Sequence, residues 1–513
     1  MKKIKHIIFV AVALLTAVSC LDKYPQDAIP ADKAINTVDD ANQFVIGIYA
    51  SWKSSALYSG LLTLLPDIQS DLVYAVDGYS NTYGDVWRWE IHSDNSSTAT
   101  VWAALYKIIG DCNFFFDYEP RVRASVTSDT DTENLDELCG EVHFMRSLAY
   151  AELIKCFCEA YDPATADTEL GVILQSSAKE PERFSKYHRN SNFVRSSLKD
   201  SYQFVLDGLA EAEKNILYDD VISAPYICKS LVNALYARTY LYMQNWDKAI
   251  EYSTKVIEDK ALKLASAKDE YSGGESFYEY MWSHDAAYEI IWRIGFTETS
   301  YGGALGRVFL NYNYMYYSPD YVPAQWVLDL YSENDLRYDA TFQTVTTGYS
   351  HGLTWPLLFK YNGNQALYDK GILHVCMPKP FRLAEQYLIR AEARCRKGDY
   401  TNAGRDITTL RESRYSTYSS TSINAANWLQ TISDERVREL YMEGFRLQDL
   451  KRWGMGFKRV PQSNTVKEGS SLKVEGRICT AATRAGDPLF VWPIPQHELN
   501  VPGTGVKPND SNK

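Results

Sequence analysis

Two segments of this sequence, far apart in the chain, follow the same pattern of small and aromatic residues. They are ARTYLYMQNWDKA at residues 237–249 and AEARCRKGDYTNA at residues 391–403. Small residues stand at both ends of each segment, and Trp246 of the first aligns with Tyr400 of the second. Small residues let two antiparallel helices approach closely, and an aromatic ring at the turn fills their junction. Each segment therefore predicts a pair of packed helices.

This helix–turn–helix pattern is typical of tetratricopeptide-like repeats. Regular arrays of such repeats recur every ~34 residues, whereas these two segments lie far apart. Apolar residues at helical spacing, such as Phe44, Ile48 and Trp52, mark further helices elsewhere in the chain. The sequence therefore predicts an all-α fold of tetratricopeptide-like helix pairs, separated by long irregular insertions that bind ligand.

The N-terminus has the features of a secretory signal. Three lysines precede an apolar run at residues 7–18, which is too short to span a membrane permanently. Small and apolar residues then lead to Cys20, as in the lipobox of bacterial lipoproteins. The sequence predicts a signal peptide at residues 1–19 and lipidation of Cys20, whose several acyl chains hold the protein on a membrane. An ordinary signal peptide with an incidental cysteine is the alternative.

The charge balance argues against nucleic acid as a partner. Residues 1–19 contain three lysines and no acidic residue, so the remaining chain has 50 basic and 65 acidic side chains. Such an acidic protein is not expected to bind a polyanion. We divide the remaining chain into an N-terminal region, residues 20–225, and a C-terminal region, residues 226–513, which together form one compact unit.

The sequence contains no catalytic motif in the context that its chemistry needs. The G-x-S-x-G match at residues 348–352 is not followed by the elements of a nucleophile elbow, no H-E-x-x-H or P-loop pattern is present, and the cysteines and histidines do not have the spacing of a zinc site. The sequence therefore predicts no metal, no cofactor and no enzymatic activity. A glycoside hydrolase stays open as an alternative, because it needs only two carboxyl groups about 5–10 Å apart.

The segment from Ser433 to Gly454, SDERVRELYMEGFRLQDLKRWG, predicts one amphipathic helix with Ser433 as its N-cap. Acidic and basic residues follow one another from Glu439 to Arg452 at three- and four-residue steps, so they can pair across helical turns. These charges could form a catalytic cluster or a buried lattice of ion pairs that ties helices together. We favour the lattice, because a helix interior gives a substrate no access and paired charges satisfy one another.

Two aromatic, turn-forming segments are the candidates for ligand binding. They are YAVDGYSNTYGDVWRW at residues 74–89 and YGGALGRVFLNYNYMYYSPDY at residues 301–321. Both mix tyrosine with Asp, Asn, Ser and Gly, a composition that favours turns over helices. Flat aromatic rings beside hydrogen-bonding groups suit the apolar faces and the hydroxyl groups of a sugar. The candidate ligand-binding residues are Tyr74, Asp77, Tyr79, Asn81, Tyr83, Tyr301 and Tyr317.

The segment from Ser433 to Gly454 resembles a motif of the SusD/RagB family of surface nutrient-binding lipoproteins. The motif is E-R-x-x-E-L-x-x-E-G-x-R-x-x-D-L-x-R-W-G, and it runs from Glu435 to Gly454. The resemblance extends to residues 334–342, 381–414 and 492–502. Among the ligand-binding candidates, Tyr301 and Tyr317 match binding positions of the family best. The first aromatic segment, residues 74–89, matches the family only in its location along the chain.

This resemblance implies a lipid-anchored protein of the outer membrane that faces the cell exterior. It further implies that the protein binds a glycan or oligosaccharide without catalysis, as part of polysaccharide utilization. The implied partner is a SusC-like TonB-dependent transporter, which packs on the helical repeats and imports the captured nutrient. The alternatives are a peptide binder, as in the RagB branch, and a scaffold whose helix pairs recognise only proteins.

Overall fold

The computed structural model describes residues 33–76, 81–177, 194–217, 225–348, 354–459, 486–501 and 505–509. Helices dominate these ranges, which confirms the predicted fold class. The strands within them are short and form four antiparallel two-stranded sheets. Among the residues described, no helix is long and apolar enough to cross a membrane.

The N-terminal region is built on long helices whose first turns are capped by side chains. Its elements are α1 (Val38–Ser51), α2 (Leu61–Gln69), β1 (Val73–Ala75), α3 (Gly84–Trp87), α4 (Ser96–Ser125), α5 (Asp129–Phe157) and α6 (Leu198–Asn215). Asn95 caps α4 by accepting the N–H of Thr98 at 3.0 Å, and Ser128 caps α5 by accepting the N–H of Asp131 at 3.0 Å. A short connection makes α4 and α5 antiparallel neighbours, and α5 also packs against α6.

The first predicted helix pair is confirmed as α7 (Lys229–Tyr242) and α8 (Trp246–Ile257). Three tyrosine rings stack where the two helices meet. Tyr252 of α8 lies 4.3 Å from Tyr236 and 5.6 Å from Tyr240 of α7, measured between ring centroids. These contacts add to the packing of small residues that brings the helices together.

A long insertion of short elements follows the first pair. Its helices are α9 (Phe277–Ser283), α10 (Gln325–Leu328), α11 (Arg337–Thr341) and α12 (Gln365–Tyr368). Its strands are β2 (Glu270–Ser272), β3 (Glu275–Ser276), β4 (Ile290–Trp292), β5 (Tyr321–Pro323), β6 (Phe342–Thr346), β7 (Thr354–Leu358) and β8 (Phe381–Arg382). β5 pairs with β1 of the N-terminal region, so the insertion is joined directly to that region.

The second predicted pair is confirmed as α13 (Leu383–Arg396) and α14 (Tyr400–Glu412), and three further helices follow: α15 (Trp428–Leu440), α16 (Arg446–Trp453) and α17 (Gln496–Leu499). α13 packs against α8, so the two pairs are neighbours in space although the insertion separates them in sequence. The largest hydrophobic cluster contains buried residues from Ile35 to Ile494 and thus joins both regions.

The prediction of one helix from Ser433 to Gly454 is wrong. Ser433 lies inside α15, and the chain breaks between α15 and α16. Gly444 in this break has a φ of +85°, and its backbone lies against Thr63 of α2. The carboxylate of Asp67 accepts the N–H of Gly444 at 2.8 Å and that of Arg446 at 2.9 Å, which satisfies the start of α16.

Replacing Gly444 with alanine is expected to lower the free energy of unfolding by about 1–2 kcal/mol from the left-handed backbone alone. A Cβ there would also stand 3.1 Å from the backbone of Thr63, so the total loss should be larger. Gly398→Ala is the matched control, because Gly398 has a similar φ of +79° but nothing within 4 Å of a Cβ. Urea unfolding measures both losses. Equal losses would contradict a role for the contact with Thr63.

Candidate functional site

Residues 310–318 form a short surface hairpin, which we call the tyrosine loop. Tyr312 and Tyr317 face each other across it in an antiparallel bridge. At the tip, the side-chain oxygen of Asn313 accepts the backbone N–H of Tyr316 at 2.8 Å and closes the turn. This local closure fixes the backbone and leaves the tyrosine side chains to project from the hairpin.

The side chains of the tyrosine loop form an exposed aromatic surface. Tyr314 and Met315 are 70% and 71% exposed, and Tyr316 is 48% exposed. Tyr312 stacks on Tyr317, with ring centroids 4.6 Å apart and planes inclined by 26°. The ring of Tyr314 lies 5.8 Å from that of Tyr312. Clustered exposed apolar groups of this kind mark interaction sites.

A buried histidine supports the tyrosine loop from the core side. His374 is 4% exposed, and its Nε2 accepts the backbone N–H of Tyr312 at 3.3 Å. Burial lowers the pKa of His374, so its ring is neutral at pH 7 and can accept this hydrogen bond. Phe359 packs edge-on against Tyr317, with ring centroids 5.4 Å apart. Both contacts hold the loop on the scaffold.

The middle of the first predicted segment, residues 81–83, lies beside the tyrosine loop. The side-chain amide of Asn81 donates to the backbone carbonyl of Asp320 at 2.7 Å. The hydroxyl of Tyr321 donates to the carbonyl of Thr82 at 2.6 Å. Tyr83 is half-buried, and burial together with the charge of Asp320 raises its pKa. The structure thus brings two of the sequence candidates, Asn81 and Tyr83, to the base of the loop.

Tyr74 does not have the exposure that a ligand platform needs. It lies in β1, pairs with Val322 of β5 and is 2% exposed. A ring buried in this way offers no face to a ligand, so we omit Tyr74 from the proposed site. Asp77, Tyr79 and Cys20 lie outside the described residues.

Tyr301 is 46% exposed, and the residues beside it are held by a different part of the chain from the one that supports the tyrosine loop. The ammonium group of Lys53 donates to the hydroxyl of Ser300 at 3.0 Å. The N–H of Gly303 donates to the hydroxyl of Ser59 at 2.9 Å. The segment around Tyr301 is therefore fixed to the chain between α1 and α2.

Tyr312, Tyr314 and Tyr316 do not follow individually from the sequence, although they lie in a segment that the sequence singles out. The overlooked signal is the dense run YNYMYY, in which Asn313 supplies a turn between closely spaced tyrosines. Such a surface can stack on a ligand while neighbouring amide and carboxylate groups form hydrogen bonds. Among the described residues, no cluster of three or more His, Cys, Asp and Glu side chains could hold a metal ion.

The predicted charge lattice is confirmed, and it is buried. Glu439 of α15 accepts hydrogen bonds from Arg337 at 3.0 Å, from Arg382 at 2.9 Å and from Arg414 at 3.0 Å. All four side chains are at most 1% exposed. Burial by itself would raise the pKa of Glu439, but the three guanidinium groups outweigh it and hold the pKa well below its usual value.

The partners in this lattice come mostly from outside the predicted helix. Glu443 pairs with Lys360 at 2.6 Å, and Arg446 pairs with Asp71 at 2.9 Å. Within the segment, Asp449 and Arg452 pair at 2.9 Å, as helical spacing predicts. The lattice therefore joins the insertion and both regions through side chains that are at most 9% exposed.

Comparisons with known proteins agree with this architecture. A family model described as the SusD family matches residues 312–509, and one described as starch-binding, associating with the outer membrane, matches residues 20–241. SusD-like protein P25 of Formosa agariphila is 22% identical over 97% of both chains. Starch-binding protein SusD of Bacteroides thetaiotaomicron is 35% identical over 21% of this chain and 19% of its own length.

Solved structures share the fold. A SusD superfamily protein from Bacteroides thetaiotaomicron superposes with a TM-score of 0.75 at 22% identity, covering 92% of this chain and 99% of that one. The surface glycan-binding protein A of Bacteroides fluxus superposes with a TM-score of 0.66 at 17% identity, covering 93% and 100%. With its helix pairs and the two family matches, the chain belongs to the SusD/RagB family.

Proposed function

We propose that this protein binds carbohydrate at the tyrosine loop and does not transform it. The exposed rings of Tyr314 and Tyr316, together with the exposed thioether side chain of Met315, lie beside the Tyr312–Tyr317 stack and carry this proposal. Aromatic faces of this kind can cover the C–H faces of sugar rings. The names of the relatives give further support, since they include a starch-binding protein and a surface glycan-binding protein.

The proposed site extends from the tyrosine loop to the N-terminal segment. Asn81 and Tyr83 lie at its base, and Asp77 and Tyr79 are proposed to complete it. Tyr301 is proposed as an outlying platform, because its exposed ring has a separate support. We further propose that residues 20–225 and 226–513 act as one compact unit that carries this site.

The binding test uses the soluble chain from residue 21 onward on a panel of immobilised polysaccharides and peptides. We expect retention on at least one polysaccharide and no release of reducing sugar during prolonged incubation. Retention on peptides alone would contradict the glycan proposal and indicate a peptide-binding protein. Release of reducing ends would overturn the non-catalytic part of the proposal in favour of a glycoside hydrolase.

We also propose that the protein is a lipoprotein of the outer membrane that faces the exterior and delivers its ligand to a SusC-like TonB-dependent transporter. The description of the N-terminal family match as associating with the outer membrane supports the location. Co-purification from membranes tests the partner: a TonB-dependent transporter should accompany the full chain. Its absence from intact, detergent-extracted complexes would contradict the partnership.

Cys20→Ala is expected to move most of the protein from the membrane fraction to the soluble fraction, because it removes the site of the proposed lipid anchor. Fractionation with labelled fatty acid measures both location and acylation. Cys112→Ala serves as a control, since Cys112 is a buried thiol in α4. An unlabelled wild-type protein that stays on the membrane would contradict the anchor.

A further inference from the structure

A second concave surface lies next to the end of α1, away from the tyrosine loop. It is a groove of about 210 Å³. Trp292 and Ile294 line it and are 1% and 4% exposed, so they form its buried base. Ile46 and Tyr226 also line it and are 46% and 59% exposed, so they form its open rim. Drug-sized ligands need roughly 300 Å³ or more. The groove therefore suits one ring of a larger ligand.

The aromatic side chains of this groove are held in place. Tyr226 meets Tyr49 edge to face, with ring centroids 5.9 Å apart and planes at 85°. The hydroxyl of Tyr49 accepts the backbone N–H of Ile227 at 3.2 Å and is hydrogen-bonded to the buried Glu141. The indole N–H of Trp292 donates to the carbonyl of Pro225 at 3.1 Å. An exposed tyrosine face thus stands on a fixed aromatic support.

One positive charge lines the groove beside these rings. The ammonium group of Lys53 donates to the hydroxyl of Ser300 at 3.0 Å, a neutral partner. Among the residues that the structure describes, no carboxylate forms an ion pair with it. The protein as a whole carries a net charge of −12, so an uncompensated cation in an aromatic groove favours an anionic ligand.

We propose that this groove binds a carboxylated sugar, that is, a uronic acid residue of an oligosaccharide. The apolar face of the sugar ring stacks on Tyr226, and its carboxylate pairs with Lys53. A charge-assisted hydrogen bond of this kind is stronger than one between neutral groups, and it distinguishes a uronate from the corresponding neutral sugar. This site is separate from the tyrosine loop, although Lys53 also supports the segment around Tyr301, the outlying platform proposed above. Binding of a uronate trimer that survives Tyr301→Ala therefore assigns the uronate to the groove.

Calorimetry with uronate trimers tests the proposal, with trimers of galacturonate, glucuronate, mannuronate and guluronate as probes and galactotriose as the neutral comparison. We expect the wild-type chain to bind at least one uronate trimer more tightly than galactotriose, with an affinity that falls as salt is raised. Lys53→Gln should weaken this binding about tenfold or more, since it removes a hydrogen bond to a charged group. Tyr226→Ala should weaken it as well.

The matched controls are Lys260→Gln and Tyr288→Ala, which change an exposed lysine and a 49% exposed tyrosine elsewhere. Both should bind like wild type, and thermal unfolding should show that all variants are folded. The proposal is overturned if no uronate trimer binds the wild type more tightly than galactotriose. It is also overturned if Lys53→Gln and Tyr226→Ala bind normally. If only a Tyr314→Ala, Tyr317→Ala double variant lost uronate binding, the uronate would bind at the tyrosine loop and the groove proposal would be overturned.

Discussion

Replacing Glu439 with alanine is expected to lower the free energy of unfolding by about 3–5 kcal/mol, the usual cost of removing one partner from a buried ion pair. The carboxylate accepts hydrogen bonds from Arg337, Arg382 and Arg414, all buried. Without it, three guanidinium groups stay in the interior with too little negative charge around them. Desolvated cations of this kind are costly. Glu435 and Glu443 lie at other positions in the lattice, so they cannot take over the three contacts that Glu439 makes.

Urea unfolding followed by circular dichroism measures this loss. Glu333→Ala is the control, because Glu333 is an exposed acid in a loop and its removal should change stability little. Glu439→Gln should fall between the two, since the amide keeps hydrogen-bond acceptance but loses the charge. If Glu439→Ala kept wild-type stability while abolishing turnover of some carbohydrate, the lattice would be catalytic and the structural interpretation would fail.

The helix pairs could be predicted because their signals are local. The small residues of 237–249 and 391–403, and the aromatic residue at each turn, act within one helix–turn–helix unit. The stacking of α13 on α8 could not be predicted, because it depends on how the insertion between the pairs folds back. The local sequence pattern therefore predicts each helix pair, whereas the position of one pair relative to the other depends on tertiary packing.

The break between α15 and α16 shows where local pattern fails. The apolar spacing from Val437 to Leu447 continues through it, so periodicity alone extends one helix across the whole segment. The break depends on α2, where Thr63 lies against Gly444 and Asp67 accepts N–H groups that a continuous helix would use internally. These contacts join residues far apart in sequence.

The same distinction applies to the candidate site. Composition identified the tyrosine-rich segments, but it could not distinguish exposed from buried rings. Tyr74 and Tyr314 both lie in these tyrosine-rich segments, yet the first is 2% exposed and the second 70%. Pairing of β1 with β5 buries Tyr74, whereas a hairpin supported by His374 exposes Tyr314. Exposure at each position is therefore set by the tertiary structure.

Replacing Tyr314 and Tyr317 together with alanine is expected to weaken glycan binding by about 1–3 kcal/mol, or roughly 5- to 150-fold, if each ring contributes one stacking contact. Tyr314 offers the most exposed ring of the tyrosine loop, and Tyr317 forms the stacked pair with Tyr312. Calorimetry with the polysaccharide fragment retained in the binding panel measures the change. Thermal unfolding of the same samples shows whether the scaffold is intact.

The Tyr314→Phe, Tyr317→Phe double variant separates ring stacking from hydrogen bonding. Because phenylalanine keeps the aromatic face and loses only the hydroxyl, we expect it to retain most of the affinity. Tyr301→Ala tests the outlying platform independently, and its effect should be smaller and additive, since Tyr301 has a separate support. A folded alanine double variant with wild-type affinity would show that the glycan binds elsewhere, because an exposed ring that contacts a ligand cannot be removed without loss.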